Sequence, residues 1–135
     1  MPPKWLLRWV SRLNVLFYRL SGGRLWSRMN GLPVMLLTTT GRHSGHLHTT
    51  PIVYITHGER LIIAPGFVET PDWFLNLKAS PQARILRGKN AQSVRAEEAN
   101  PAERESLWPL VPNYWKQYRT RYNNELPLVI LAPQL

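Results

Sequence analysis

The chain has 135 residues, of which 44% are hydrophobic, and it contains no cysteine. This length fits one domain with a single core. The missing cysteines exclude disulfides, thiolate metal sites and a cysteine nucleophile, and they fit a reducing compartment such as the cytoplasm. No run of about 18 apolar residues is present, so the sequence predicts no segment that spans a bilayer.

The positive charge lies mainly in the first part of the chain. The formal net charge is +9. Residues 1–58 hold seven basic side chains and no acidic one, whereas residues 59–135 hold ten basic and eight acidic side chains. All four histidines also lie within residues 1–58. We therefore expect an anionic partner to meet this part: a phosphorylated small molecule, a membrane surface or nucleic acid.

The first segment has the pattern of an amphipathic helix. Apolar side chains recur at helical spacing over residues 5–20, and four cations fall within an arc of roughly 80° on the other side. These cations are Lys4, Arg8, Arg12 and Arg19. We expect residues 4–20 to rest on an anionic membrane surface or to cover the mouth of the domain as a lid. In the alternative interpretation, the apolar stripe packs on the domain and leaves the arginines in solvent.

The rest of the chain is typical of short strands joined by tight turns. A second short helix is predicted at 24–29, and further helices are predicted at 71–79, from Pro101 onward, and again at 113–122. The predicted strands are 33–40, 49–56, 60–65, 83–88, 91–99 and 126–132. Asn100 and Asp72 are interpreted as helix caps. The βαβ alternation is missing, so the pattern favours a small antiparallel barrel, mainly β with flanking helices (α+β).

The stretch TTTGRHSGHLHTTP, residues 38–51, is the most unusual loop in the chain. Three interpretations stay open from its residues. His43, His46 and His48 supply imidazoles for a zinc ion, although no acid lies nearby. The loop is otherwise an exposed polar turn, or it is an anion cradle in which Arg42 and glycine-freed backbone N–H groups converge.

A loop motif, a helix motif and the final strand of the chain together resemble a known family. LLTTTGRHSGHLHTTPIVYI, then PDWFLNLKASP, then LPLVILAP resemble the deazaflavin (F420)-dependent nitroreductase family over about residues 32–133. The resemblance implies a split β-barrel of the FMN-binding and pyridoxamine-phosphate-oxidase-like type. It divides the chain into a basic helical segment, 1–31, and a cofactor-binding barrel, 32–135.

The resemblance also implies a set of site residues. Arg42, His43, Ser44 and Gly45 would lie against the phosphate and acidic tail of coenzyme F420, with FMN as the alternative cofactor. The other implied cofactor contacts are His48, Thr50, Pro51, Ala64, Pro65, Gly66, Trp73 and Asn76. Tyr118 would line the substrate side as a catalytic residue, with Tyr114 and Trp115 near it. From residue type alone, Trp73 is more often a core residue than a cofactor contact, and Asn76 caps the helix or bonds to the backbone.

The implied activity is hydride transfer from F420H2 to a quinone, a nitroaromatic or a conjugated enone. A flavin, haem or lipid binder with the same fold is the alternative. A nucleic-acid-binding module is less favoured, because the arginines concentrate on a helix while the barrel is nearly balanced in charge. We expect no metal and no nucleic acid partner. We expect a monomer or homodimer in the cytoplasm or peripherally on the inner membrane face.

Overall fold

Eight antiparallel strands curl into a half-barrel with helices around it. The computed structural model describes residues 3–20, 28–29, 31–65, 71–116 and 126–134. In chain order, the elements in these ranges are α1 (Lys4–Leu20), β1 (Arg28–Met29), β2 (Leu32–Thr40), β3 (Leu47–Val53), β4 (Ile55–His57), β5 (Arg60–Ile63), α2 (Asp72–Ala79), β6 (Gln82–Arg87), β7 (Asn90–Glu98), α3 (Pro101–Leu107), α4 (Asn113–Lys116) and β8 (Val129–Pro133). A 3-10 turn at Trp108–Leu110 joins α3 to α4.

Strand β2 lies at the branch point of the sheet, where it pairs with β1, β3 and β6. The strand order of the sheet is β1-β2-β6-β7-β8-β5-β4, and β3 pairs with β2 outside this path. Met35 and Leu37 of β2 point into the barrel core, whereas Val34 and Leu36 pack on the other face beside Tyr18 of α1. Because both faces of β2 are covered, its sequence is a continuous apolar run rather than an alternating one.

Tyr18 anchors α1 to the barrel. Its side chain is 1% exposed. Its hydroxyl lies 3.2 Å from the carbonyl oxygen of Val34 and accepts the N–H of Gly88 at 2.7 Å. One side chain of α1 thus contacts both β2 and the turn between β6 and β7. Within the described residues, no helix has the length and hydropathy needed to cross a bilayer.

A further core lies under α3 and α4. The outward side chains of β5 and β8, Ile62 and Ile130, pack there against Leu107 and Trp115. The predicted N-terminus of α3 is confirmed: the Asn100 side chain accepts the N–H of Glu103 at 2.8 Å, and Glu103 accepts the N–H of Asn100 at 3.3 Å. This reciprocal capping box satisfies two N–H groups that a helix start leaves unpaired.

Each predicted strand segment contains a strand in the structure, with ends shifted by a few residues. The hairpin turns use Gly58 and Gly88, which have φ values of 63° and 62°. The predicted strand 49–56 is wrong at Tyr54, because the N–H of Tyr54 turns to the carbonyl oxygen of Pro33 at 3.2 Å and separates β3 from β4. The predicted strand 126–132 begins only at Val129, since Leu126 and Leu128 fill the core under α4 instead.

Two helix predictions are also corrected. Arg28 and Met29 form β1, paired with the start of β2, rather than the end of a helix; residues 24–27 lie outside the described residues. The N-cap of α2 is Pro71, so Asp72 is a first-turn residue and not the cap. The helix predicted at 113–122 is present as Asn113–Lys116, and its remainder lies outside the described residues.

The helical periodicity of α1 is confirmed, but the interpretation in which its apolar stripe packs on the domain is wrong for the stripe residues whose side chains are described. Leu6, Val10 and Leu13 are all exposed. The helix instead holds the barrel through Tyr18, which lies on a different face.

Candidate functional site

The loop between β2 and β3 is closed by its own hydrogen bonds. The N–H of Gly41 donates to the carbonyl oxygen of His46 at 2.8 Å, and the N–H of Gly45 donates to that of Gly41 at 2.9 Å. The N–H of His46 donates to Ser44 Oγ at 3.1 Å. The N–H groups of Gly41, Gly45 and His46 are thus used within the loop, and the convergence of glycine-freed backbone N–H groups on an anion stays a prediction.

Arg42 is fixed by a buried amide. Its backbone N–H and its Nη1 both donate to Oδ1 of Asn76, at 3.2 Å and 2.9 Å. Asn76, on α2, is 3% exposed, and its Nδ2 donates to Oγ1 of the buried Thr39 at 3.2 Å. The amide thus links the loop, α2 and β2, and it holds the Arg42 guanidinium at the loop surface.

Asp72, one turn before Asn76 on α2, gathers three cations. Its carboxylate lies 3.6 Å from Lys4 Nζ, accepts a hydrogen bond from Arg8 Nε at 3.0 Å, and lies 3.6 Å from Arg42 Nη2. Partial burial acts to raise the pKa of Asp72, but the Arg8 hydrogen bond and the charges of Arg8, Lys4 and Arg42 outweigh it, so this pKa lies below its ordinary value. The carboxylate is therefore ionised at neutral pH.

Gly41 is buried beneath two polar side chains. A Cβ atom at this position would lie 2.7 Å from His48 Nε2 and 2.8 Å from Ser44 Oγ. Only glycine therefore lets the His48 ring and the Ser44 hydroxyl close over the loop without moving. His43 and His46 are exposed. Among the residues that the structure describes, no three His, Cys, Asp or Glu side chains lie close enough together to hold a metal ion.

Thr50, Pro51 and Trp73 lie near this loop but on different surfaces. Thr50 pairs with Leu37 and Pro51 pairs with Leu36, so their side chains point to opposite faces of the sheet. A flat cofactor ring that lies on one face of the sheet can meet the side chain of only one of Thr50 and Pro51, and only the backbone of the other. Trp73 packs against the barrel core, with its ring centroid 5.9 Å from that of Phe74.

Tyr114 and Trp115, expected on the substrate side, form a separate group with Ala64, one of the expected cofactor contacts. Ala64, Tyr114 and Trp115 belong to the core under α3 and α4. Trp115 is buried, and the hydroxyl of Tyr114 is buried without a hydrogen-bond partner in the described part of the chain. Pro65 is buried. Tyr118 and Gly66 lie outside the described residues.

Sequence reasoning missed Asp72, Lys4 and Arg8 as members of the site. A signal for Asp72 was present, because Asp72 and Asn76 are four residues apart and therefore share one face of α2. The contacts of Lys4 and Arg8 carried no local signal, since their partner lies more than 60 residues along the chain.

The donor set fits an anionic ligand. A guanidinium, a hydroxyl and imidazoles surround the loop, and the one carboxylate that touches Arg42 is already bound by cations. Arginine matches phosphate and carboxylate oxygens with two parallel donors. The residues therefore suit a cofactor that carries a phosphate and an acidic tail.

Comparison with known proteins agrees with this geometry. Residues 9–133 match the family described as F420H(2)-dependent quinone reductase. An F420H(2)-dependent quinone reductase of Mycobacterium tuberculosis is 32% identical over 143 aligned positions, which cover 96% of each chain.

Two solved structures carry the fold comparison. A structure of an F420-H2 dependent reductase superposes with a TM-score of 0.64 at 25% identity, covering 73% of this chain and 93% of the other. A protein of the pyridoxinephosphate oxidase family from Clostridium acetobutylicum superposes with a TM-score of 0.54 at 11% identity, covering 74% of each chain.

The predicted fold class and cofactor are thereby confirmed. The antiparallel half-barrel is the split β-barrel that flavin-type oxidoreductases share. The match extends over α1 from its sixth residue to the end of β8. The chain therefore belongs to the F420H(2)-dependent quinone reductase family, and it is an oxidoreductase that uses coenzyme F420.

Proposed function

We propose that this chain transfers a hydride from F420H2 to a membrane-soluble quinone, and that nitroaromatics and conjugated enones are secondary acceptors. The quinone accepts the hydride and a proton and leaves as a hydroquinone. The observation that carries the quinone class is an exposed apolar face on α1, the helix whose first turns contact the Arg42–Asp72 cluster. An apolar acceptor dissolved in lipid suits an enzyme that carries such a face beside its cofactor loop.

The apolar face consists of six exposed side chains. They are Trp5, Leu6, Trp9, Val10, Leu13 and Leu16. At about 100° per residue they cover an arc roughly opposite Tyr18, the side chain that anchors the helix. The face therefore points away from the barrel. Trp5 and Trp9 are 63% and 60% exposed, which is unusual for such large apolar side chains.

We propose that this face rests on an anionic membrane from the cytoplasmic side. The cationic arc lies next to the apolar face, as in helices that lie in the plane of a bilayer interface. Apolar burial provides the part of the binding energy that salt leaves unchanged. Attraction of anionic headgroups by the cations provides the part that salt screens.

The residues of the loop have distinct roles in this proposal. Arg42, Ser44, His43 and His48 would hold the phosphate and acidic tail of the cofactor. When bound, the reduced deazaflavin ring supplies the hydride. We assign to Tyr114 the hydrogen bond to the oxygen on which negative charge develops; its hydroxyl, which has no hydrogen-bond partner in the described part of the chain, supports this role.

The activity is tested by mixing the protein with F420H2 and either menadione or a prenylated quinone in detergent micelles. We expect oxidised-cofactor absorbance to return with both quinones, and more slowly with a nitroaromatic. A return no faster than in buffer with every acceptor would contradict the proposed reaction.

The membrane contact is tested by pelleting the full chain with vesicles. We expect co-sedimentation with phosphatidylglycerol–phosphatidylcholine vesicles, weaker at high salt, and little with phosphatidylcholine alone. Leu13→Gln should reduce pelleting. Leu110→Gln, the same change at an exposed leucine in the 3-10 turn, is the matched control and should leave it unchanged. Equal loss with both variants, or no pelleting of the unmodified protein, would rule out contact through α1.

A further inference from the structure

We infer that Lys4 and Arg8 of α1 belong to the cofactor site: together with Arg42 they form a cationic rim that holds the anionic tail of the cofactor. This rim is defined by Lys4, Arg8 and Arg42 around Asp72. The inference rests on the proposed function, because it takes the loop of residues 41–46 as the place where the tail lies.

The rim keeps positive charge in excess. The four side chains of this cluster, three basic and one acidic, carry a net formal charge of +2. The side chains of Lys4, Arg8 and Arg42 remain 43%, 59% and 25% exposed. Each therefore retains surface that a phosphate or a glutamate carboxylate can reach, and the excess charge attracts it.

The loop by itself supplies little fixed charge. Arg42 is the one lysine or arginine between Thr40 and Leu47. His43, His46 and His48 add hydrogen-bond donors rather than further lysine or arginine charges. A tail with several negative charges therefore needs cations from another element, and α1 is the element that brings them to Arg42.

Asp72 is a positioning residue in this arrangement. A carboxylate beside an anionic tail repels it, so Asp72 weakens tail binding if charge alone is counted. Its contacts act in the opposite direction, because it draws the first two turns of α1 to the loop and orients Arg42 together with Asn76. Neutralising Asp72 therefore separates the two effects. The affinity for F420 rises if repulsion by the carboxylate dominates, and it falls if positioning of the cations dominates.

The first test measures dissociation constants in the full-length protein by fluorescence titration at low and high salt. The probes are F420 and the deazaflavin nucleoside that lacks the phosphate and glutamates. We expect Lys4→Gln with Arg8→Gln to weaken F420 binding about three- to tenfold at low salt, as for two exposed ion pairs. Binding of the tail-less nucleoside should not change. Arg8→Gln alone is compared with Arg12→Gln, which removes the same charge from the same helix away from Asp72 and should leave both affinities unchanged.

The second test uses Asp72→Asn, a substitution of nearly equal size. We expect weaker F420 binding despite the gain of positive charge, unchanged binding of the tail-less nucleoside, and a smaller effect of the Lys4 and Arg8 substitutions in this background. Stronger F420 binding in Asp72→Asn would overturn the positioning role.

The outcomes separate this inference from the proposed function. Equal F420 affinity in the unmodified protein and the double variant would overturn the rim while leaving the oxidoreductase intact. An effect of the same size with Arg12→Gln as with Arg8→Gln would also overturn it, because the contribution would then come from the overall charge of α1. No binding of either probe to the unmodified protein would overturn both.

Discussion

Asn76 shows what burial does to a polar residue that the sequence marks as functional. The resemblance places it against the cofactor, and its residue type alone is compatible with a helix cap. In the structure its amide is buried and uses both ends inside the protein, accepting from Arg42 and donating to Thr39. A buried amide must be satisfied in this way. Its effect on a ligand is therefore exerted through Arg42.

Asn76→Ala is expected to lower the free energy of unfolding by about 1–3 kcal/mol, because it leaves buried partners unsatisfied. It should also weaken F420 binding, since Arg42 loses the acceptor that fixes it. Urea unfolding and fluorescence titration measure the two effects. Asn113→Ala, at an exposed asparagine of α4, is the control. A variant as stable as the control would contradict the hydrogen-bonding role of Asn76.

Tyr114→Phe should separate stability from activity. Since the hydroxyl of Tyr114 has no partner among the described residues, its removal should leave the free energy of unfolding unchanged or raise it by up to about 1 kcal/mol. The rate of quinone reduction should fall about a hundredfold if this hydroxyl stabilises the developing charge. Thermal melts and steady-state rates test this, and an unchanged rate would exclude the catalytic role.

At the scale of the element, α1 presents its faces differently from an ordinary surface helix. A helix on a globular domain usually buries its apolar stripe and exposes its charges. Here the six side chains of the apolar face point outward, while Lys4 and Arg8 turn to Asp72, and Tyr18 and Val15 pack against the domain. The helix is thus attached by polar contacts at one end and by one aromatic anchor at the other.

The ion pairs that dock α1 should depend on pH with a definite sign. The pKa of Asp72 is lower in the folded chain than its ordinary value of about 3.9. As the pH falls, the unfolded chain therefore binds a proton at this carboxylate at a higher pH than the folded chain does. The stabilisation is therefore present above about pH 4 and is lost as pH falls through the lowered pKa. Among the described residues, the charged groups that face Asp72 are Lys4, Arg8 and Arg42.

Melts of the unmodified protein and Asp72→Asn from about pH 7 to about pH 3 measure this dependence. The unmodified protein should be the more stable near neutral pH, and the difference should shrink in acid. A difference that stays constant down to about pH 2.5 would show that ionised Asp72 contributes nothing to docking.

For the whole molecule, two faces of one curled sheet organise the cores. Leu61 and Ile63 of β5 point into the barrel, while Ile62 between them points to the core under α4. β2 divides the barrel interior from α1 in the same way. Every core therefore combines segments that are distant in sequence, and loss of one contact to α1 is expected to affect the stability of the barrel.

Tyr18→Phe tests that connection. The change should lower the free energy of unfolding by about 1–3 kcal/mol, because the N–H of Gly88 loses its acceptor and the carbonyl oxygen of Val34 loses a donor. Tyr54→Phe is the control, since this buried tyrosine makes no hydroxyl hydrogen bond within the described part of the chain. Denaturant unfolding compares the two, and equal stabilities would show that Tyr18 contributes through packing alone.

The sequence by itself determined the family and the type of most elements, and through the family resemblance it predicted the cofactor loop. Apolar periodicity, glycine turns and the Asn100–Glu103 cap act within a few residues, so they can be read locally. It failed at Tyr54 and at Leu126 and Leu128, where closure of the barrel competes with strand pairing.

Only the tertiary structure decided which groups meet across long sequence separations. Asn76 fixes Arg42, Asp72 recruits Lys4 and Arg8, and Tyr18 attaches α1 with its apolar face outward. No local pattern encodes these contacts, because each depends on how the sheet curls and on which face of a helix is left for the barrel. The sequence therefore predicted a cationic helix and an anion-binding loop, and the fold alone placed them side by side.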